Sequence, residues 1–232
     1  MSHISVMMMN LKRREDKYWF MLGGLRVLGF HSGYDIIRFN SRDYQDYADV
    51  KSLCQAAVDD RFPHFENPPD NLYRKCLAWF WTYQAALREI AGMDKIVLLL
   101  VDDMLPKVHW PANRLDTLVE ECSHHSHPFR ILQLLPSFDI TESVSHKPHT
   151  SMLAKGLAGY TDEGVILSSE GAKLVLDEYS KNPFVHPNTV YRQVGIKQGE
   201  DNYGLWHTLD PIIDVHDDFS SSSDLCPMGE EI

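Results

Sequence analysis

Apolar residues gather along this chain in two kinds of run, and the two kinds predict different elements. Short continuous runs predict strands. Ile4–Asn10 is Met-rich and stops at the polar group following Leu11, which reads as a buried strand. Tyr34–Phe39 is a second, and Phe129–Leu135, Gly164–Leu167 and Ile212–Val215 follow further on. Ile96-Val-Leu-Leu-Leu-Val101 has no polar residue at all, as expected of a central parallel strand covered on both faces.

Runs at helical spacing lie between them. Trp19, Phe20, Leu22, Leu25 and Leu28 give residues 15–28 an apolar face. Over 71–91, Leu72, Cys76, Ala78, Trp79, Trp81, Thr82, Ala85, Ala86 and Ile90 occupy two sides of a helix, so it should be largely buried and end at Gly92. At this spacing the Trp79-Phe80-Trp81 cluster reads as core packing. Residues 113–122 and 170–179 are further helices, the second capped by Ser168 or Ser169. Residues 44–57 read as helix and loop, and 62–70 as a proline-rich loop.

Strands and helices alternate through the first 180 residues, which predicts an α/β fold. The expected architecture is a mixed, mostly parallel sheet flanked by helices in one domain over 1–219, with a polar tail over 220–232. In such folds ligands bind beyond the carboxyl ends of the strands.

Composition narrows the function. Lys and Arg number 22 against 33 Asp and Glu, a formal net charge of −11, which disfavours a general phosphate-backbone binder. Six apolar residues in the longest run fall far short of the roughly 20 that cross a bilayer. The N-terminal run is too short for a signal peptide, and its charges, Lys12, Arg13 and Arg14, come after it. Cys54, Cys76, Cys122 and Cys226 form no CxxC pair, which fits reduced thiols and a cytoplasmic location.

The chemistry is expected at Asp102-Asp103, which follow directly on the most apolar run. Two adjacent carboxylates repel unless a cation or proton intervenes, and Mg²⁺ or Mn²⁺ suits them. No G-x-S-x-G, P-loop or G-x-G-x-x-G is present, so nucleophilic hydrolysis, ATP hydrolysis and dinucleotide binding drop away. Cys122-Ser-His-His-Ser-His127 holds zinc-ligand types at a spacing that suits no closed zinc site.

Val6-Met-Met-Met-Asn-Leu-Lys-Arg-Arg-Glu-Asp16 resembles the opening "V-x-x-x-N-L-x-R-R-x-D" of glycosyltransferase family 25, the group of lipooligosaccharide and procollagen galactosyltransferases. Ile96–Asp103 is similar to that family's strand ending in Glu-Asp-Asp, with Val101 in place of the Glu. The segment 76–86 looks like its buried helix, though Trp79-Phe80 replace Ser-His. Residues 164–172 resemble "A-Y-x-I-S-x-x-G-A", and 209–213 with 221–224 its closing segments. The family's "P-V-D" is not evident, and Phe184-Val-His-Pro-Asn188 stands there.

The resemblance implies a GT-A-like transferase, inverting, that moves a sugar from a nucleoside diphosphate, a UDP-sugar by analogy, to a hydroxyl. It puts Asp103 and Asp102 on the metal, and Asn10, Leu11, Arg13, Arg14 and Asp102 at the nucleotide-sugar donor. A C-terminal histidine would join the metal. His207 and His216 both qualify, and the apolar, aromatic setting of His207 favours it. The base is expected among Asp162, Glu163 and Asp201, of which Asp201 is chosen. A glycan or protein acceptor ranks first and a hydroxymethylated DNA base second. A non-catalytic binding protein on the same sheet is the remaining alternative, fed by the missing Glu and "P-V-D". Sugar, acceptor and oligomeric state stay open.

Overall fold

Ser5–Leu11 (β1) is buried at every position and lies between parallel strands on both sides, an inner strand covered on both faces. Its neighbours are Ile36–Ser41 (β2) and Val97–Val101 (β3), the latter also buried throughout. A strand so enclosed exposes neither face, and its sequence is a continuous apolar run rather than an alternation. The computed structural model describes residues 4–31, 34–47, 53, 70–123, 128–135, 147–148, 150, 152–157, 164–198 and 204–215. The C-terminal tail, the proline-rich loop and most of the histidine-rich stretch lie outside these residues.

Glu15–Val27 (α1) follows β1, and Asp70–Ala91 (α2) precedes β3. After β3 the chain turns at Asp102-Asp103 into Met104–Pro106 (β4), which leaves the main sheet and pairs antiparallel with Ile213–Val215 (β10). Ala112–Ser123 (α3), Ile131–Gln133 (β5), Lys147–Pro148 (β6), Leu153–Lys155 (β7), Val165–Leu167 (β8), Ser169–Tyr179 (α4), Pro187–Gln198 (α5) and Leu205–Thr208 (β9) complete the order. The main sheet runs β2-β1-β3-β8-β5-β9-β7-β6. Only β8 and β7 oppose the other six strands, so the sheet is mixed and mostly of one direction. No helix among the described residues is long and apolar enough to cross a membrane.

One expectation needs correcting. The face of α1 that packs inward is Lys17, Met21, Leu22 and Leu25, while Trp19 is 61% and Phe20 40% exposed. Gly24 explains the rotation. A Cβ there would stand 2.3 Å from Leu105 Cδ1, so the helix rests on β4 through its glycine, and that contact sets which side turns inward. The aromatic cluster on α2 is core as expected, with Trp79 and Phe80 buried and Trp81 partly so. Cys76 and Cys122 are both buried and neither is in a disulfide. Residues 44–46 form a single 3-10 turn.

Ser168 caps α4, its Oγ accepting from Gly171 N at 3.1 Å. Ser168→Ala is expected to cost about 1 kcal/mol in urea unfolding, because it strands one of the helix's unpaired amides.

Candidate functional site

Register builds the site. Met9 is abreast of Val101, so the next residues of β1 and of the chain beyond β3, Asn10 and Asp102, arrive side by side at the carboxyl edge. Asn10 Nδ2 donates to Asp102 Oδ2 at 3.0 Å and to Arg14 O at 3.0 Å. Its other end faces β2, where Arg38 donates to Asn10 Oδ1 from Nε at 3.0 Å and Nη2 at 2.7 Å. Donors on one side and acceptors on the other leave the amide a single orientation. Arg38 Nη2 also reaches Leu11 O and Lys12 O, and its guanidinium lies 4.5 Å over the Tyr18 ring. The turn after β1 is thereby tied to both neighbouring strands.

Asp102 and Asp103 are 2% and 4% exposed. Facing Asp102 from α1 is Lys17, fully buried, with Nζ 3.6 Å from Asp102 Oδ1. Burial pushes the Asp102 carboxyl up to about 6; the Lys17 ammonium works against this, Asp103 adds to it, and Asn10 and Arg14 oppose it. Removing a carboxylate from water outweighs the one buried cation beside it.

The two arginines of the turn are engaged at the surface. Arg14 grips Asp16 through Nε and Nη2 at 3.0 and 2.7 Å, and that hydrogen bond holds the Asp16 carboxyl down at about 2. Arg13 Nε donates to Asp43 Oδ2 at 2.6 Å. Exposed pairs like these are weak, and a phosphate can displace the carboxylate from the arginine fork. Leu11 is 1% exposed, so its side chain belongs to the core and only its backbone faces the turn, its carbonyl accepting from Arg14 N and Arg38.

The structure gathers Asn10, Arg14, Asp102 and Asp103 at one edge, but it does not bring His207 to them. The register sets His207 opposite Gln133 on β5, and Gln133 opposite Val165 on β8, which faces Leu99 of β3. That is three strand spacings, about 14 Å of sheet. His207 is buried there, and its Nδ1 donates to Gly156 O at 3.0 Å. Among the described residues no three His, Cys, Asp or Glu side chains stand together in a way that could hold a metal. Asp201 and His216 lie outside the described residues. The last described residue of β10, Val215, pairs with Met104, the residue after Asp103, and His216 is next in sequence.

Two members of the site escaped sequence reasoning, Lys17 and Arg38. Each left a trace. Lys17 stands in an i, i+4, i+8 row with Met21 and Leu25, and Arg38 interrupts the apolar Ile36-Ile37-Arg38-Phe39. A charge at an inward position is tolerated only with a partner, which marks both as paired groups.

No protein-family model matches the chain, and no curated protein matches it. Among solved structures, the apo form of mouse xyloside xylosyltransferase 1 is similar over 86% of this chain and 83% of that one, with 11% identity and a TM-score of 0.39. Likeness at that level says nothing of chemistry, which rests on the residues themselves.

The donor set suits a divalent cation. Both groups are hard oxygen donors at one turn, and Asp102 Oδ1 is buried with no hydrogen-bond donor in reach. Mg²⁺ and Mn²⁺ take one or two such carboxylates and fill their remaining positions with phosphate oxygens and water.

Proposed function

We propose that this chain is a glycosyltransferase. In this reading it moves a sugar from a nucleoside diphosphate donor, a UDP-sugar first, to a hydroxyl of a glycan or protein, at the carboxyl edge of β1 and β3. One observation carries the reading: Asn10 hydrogen-bonds Asp102 across 92 residues of sequence. The two segments that resemble family 25 most closely, 6–16 and 96–103, thus meet at one buried junction. Nothing in core packing alone calls for a carboxylate pair, an asparagine and three cationic side chains at one strand edge.

The parts are divided as follows. The Asp102–Asp103 turn would hold Mg²⁺ or Mn²⁺, which when bound neutralises charge on a diphosphate leaving group. Arg13 and Arg14, released from Asp43 and Asp16, would grip the phosphates through their planar forks. Asn10 holds the turn in register. Inversion at the anomeric carbon needs a base for the acceptor's hydroxyl proton, assigned to Asp201. His216 is assigned the histidine place beside the metal, ahead of His207, because it directly follows Val215.

The test is thermal denaturation with UDP, UDP-glucose, UDP-galactose and other nucleotide sugars, each with Mn²⁺, Mg²⁺ or chelator. A true donor at about 100 times its Kd stabilises the folded state by about 2.7 kcal/mol, so the melting temperature should rise with its concentration. The rise should need the cation and vanish in Asp103→Ala. No shift with any nucleotide sugar would remove the donor site and leave the non-catalytic binding protein.

A further inference from the structure

Arg38 stands on β2 abreast of Met8, which lies two residues before Asn10 on the same face of β1. From there its guanidinium reaches up the sheet to three consecutive residues. Nε and Nη2 donate to Asn10 Oδ1, and Nη2 also donates to Leu11 O at 3.3 Å and to Lys12 O at 3.2 Å. The Tyr18 ring of α1 lies 4.5 Å from its carbon and fixes the plane of the fork. One side chain thus holds the end of β1, the turn and the start of the next helix.

Its partners differ from those of the other cations at this edge. Arg13 faces Asp43, Arg14 faces Asp16 and Lys17 faces Asp102. All four described hydrogen bonds of Arg38 go to neutral oxygens instead. Packing alone would favour an apolar residue here, as at Ile36 on the same face, which packs on the core.

We infer that Arg38 is a positioning residue for the donor end of the site: it draws the Leu11 and Lys12 carbonyls toward β2, so that the turn offers a diphosphate its cations and not its oxygens. The inference rests on the transferase reading above and adds a residue to it. Arg38 touches no donor in this scheme and acts through the turn. Arg14 is the link, because its backbone N–H donates to Leu11 O and its carbonyl accepts from Asn10 Nδ2. A carbonyl released from Arg38 is free to turn its negative end toward the phosphates.

The probe is UDP with Mn²⁺, with GDP and ADP in parallel, followed by titration calorimetry. The proteins are wild type, Arg38→Lys, Arg38→Met, Arg14→Met and the double variant Arg38→Met with Arg14→Met, with the melting temperature of each recorded alongside. Arg38→Met should weaken nucleotide binding by about tenfold or more. Arg38→Lys should stay within about threefold of Arg38→Met, because one ammonium cannot serve the acceptors of a planar fork. A role through charge alone would let lysine restore wild-type binding. The two losses should not multiply: the double variant should bind within about threefold of Arg14→Met, as expected of residues that act through one turn. A residue that only stabilised the fold would lower the melting temperature without this coupling. If Arg38→Met does not fold, Arg38→Lys against wild type decides. Wild-type binding by either Arg38 variant, or losses that multiply, would overturn the inference while leaving the transferase reading in place. Failure of the wild type to bind any of these nucleotides would overturn both.

Discussion

Lys17→Met is expected to destabilise the protein by about 3 to 5 kcal/mol at pH 8 and by little or nothing at pH 5. At pH 8 the substitution leaves the Asp102 carboxylate buried without its cation, the situation in which breaking an internal ion pair is most costly. The pH dependence follows from proton binding. Burial raises the Asp102 carboxyl from 3.8 to about 6, so the folded state holds this proton more tightly than the unfolded chain does. The stability that this group contributes is therefore present in full below its unfolded value and is lost as pH rises through about 6, a change of about 3 kcal/mol. Below pH 6 Asp102 is mostly neutral and no longer needs the Lys17 ammonium. Urea unfolding at pH 5 and pH 8 measures both ends. A cost that does not change with pH would mean that Lys17 contributes by packing alone. The double variant Lys17→Met with Asp102→Asn should recover much of the loss at pH 8, because it removes both charges of that pair rather than one.

The second large effect is expected at Gly204. Its φ is +76°, and a Cβ would come within 2.0 Å of Pro128 O and 3.2 Å of Arg130 N. The approach is that close because Gly204 O accepts from both Arg130 N and Ile131 N, the first rungs between β9 and β5. Alanine would need both a disfavoured backbone and a retreat of the 128–131 segment. Gly204→Ala should thus cost about 3 kcal/mol or more, lowering the melting temperature by about 6 to 12 °C for a chain of this size. Gly23→Ala is the control, with nothing within 4 Å of its added methyl. It should be neutral or stabilising by up to about 1 kcal/mol, since alanine is the better helix former. Similar losses in the two variants would show that the clash at Gly204 is relieved by local movement.

What could be read from the sequence is what a single segment determines. Val97–Val101 and Ser5–Leu11 are buried on every side, so their apolar runs show them as inner strands with no knowledge of their neighbours. The helix Asp70–Ala91 is long enough for its period to be unmistakable, and Ser168 caps its helix as its position suggests. Asp102 and Asp103 stand where the end of such a strand must put them. Segments whose form depends on partners were harder to read. Leu205–Thr208 and Met104–Pro106 are too short to have a period and exist because β5, β7 and β10 pair with them. Pro187–Gln198 hides behind its proline, which is tolerated in a helix's first turn. The inward place of Lys17 is not legible from its own segment, because the rotation of α1 is set by Gly24 against Leu105, 81 residues away.

The antiparallel strand β8 has a consequence for how the molecule is made. Three residues, Val165–Leu167, join the β2-β1-β3 block to the β5-β9-β7-β6 block, and among the described residues no other strand of the main sheet lies between them. During synthesis β3 is complete more than sixty residues before its neighbour emerges. Until then Val97–Val101 presents an aliphatic edge with open hydrogen bonds, the kind of template to which foreign strands add. Closure must await a contact distant in sequence, which slows folding. The newly made N-terminal half therefore carries an open aliphatic strand edge that only the later arrival of β8 covers.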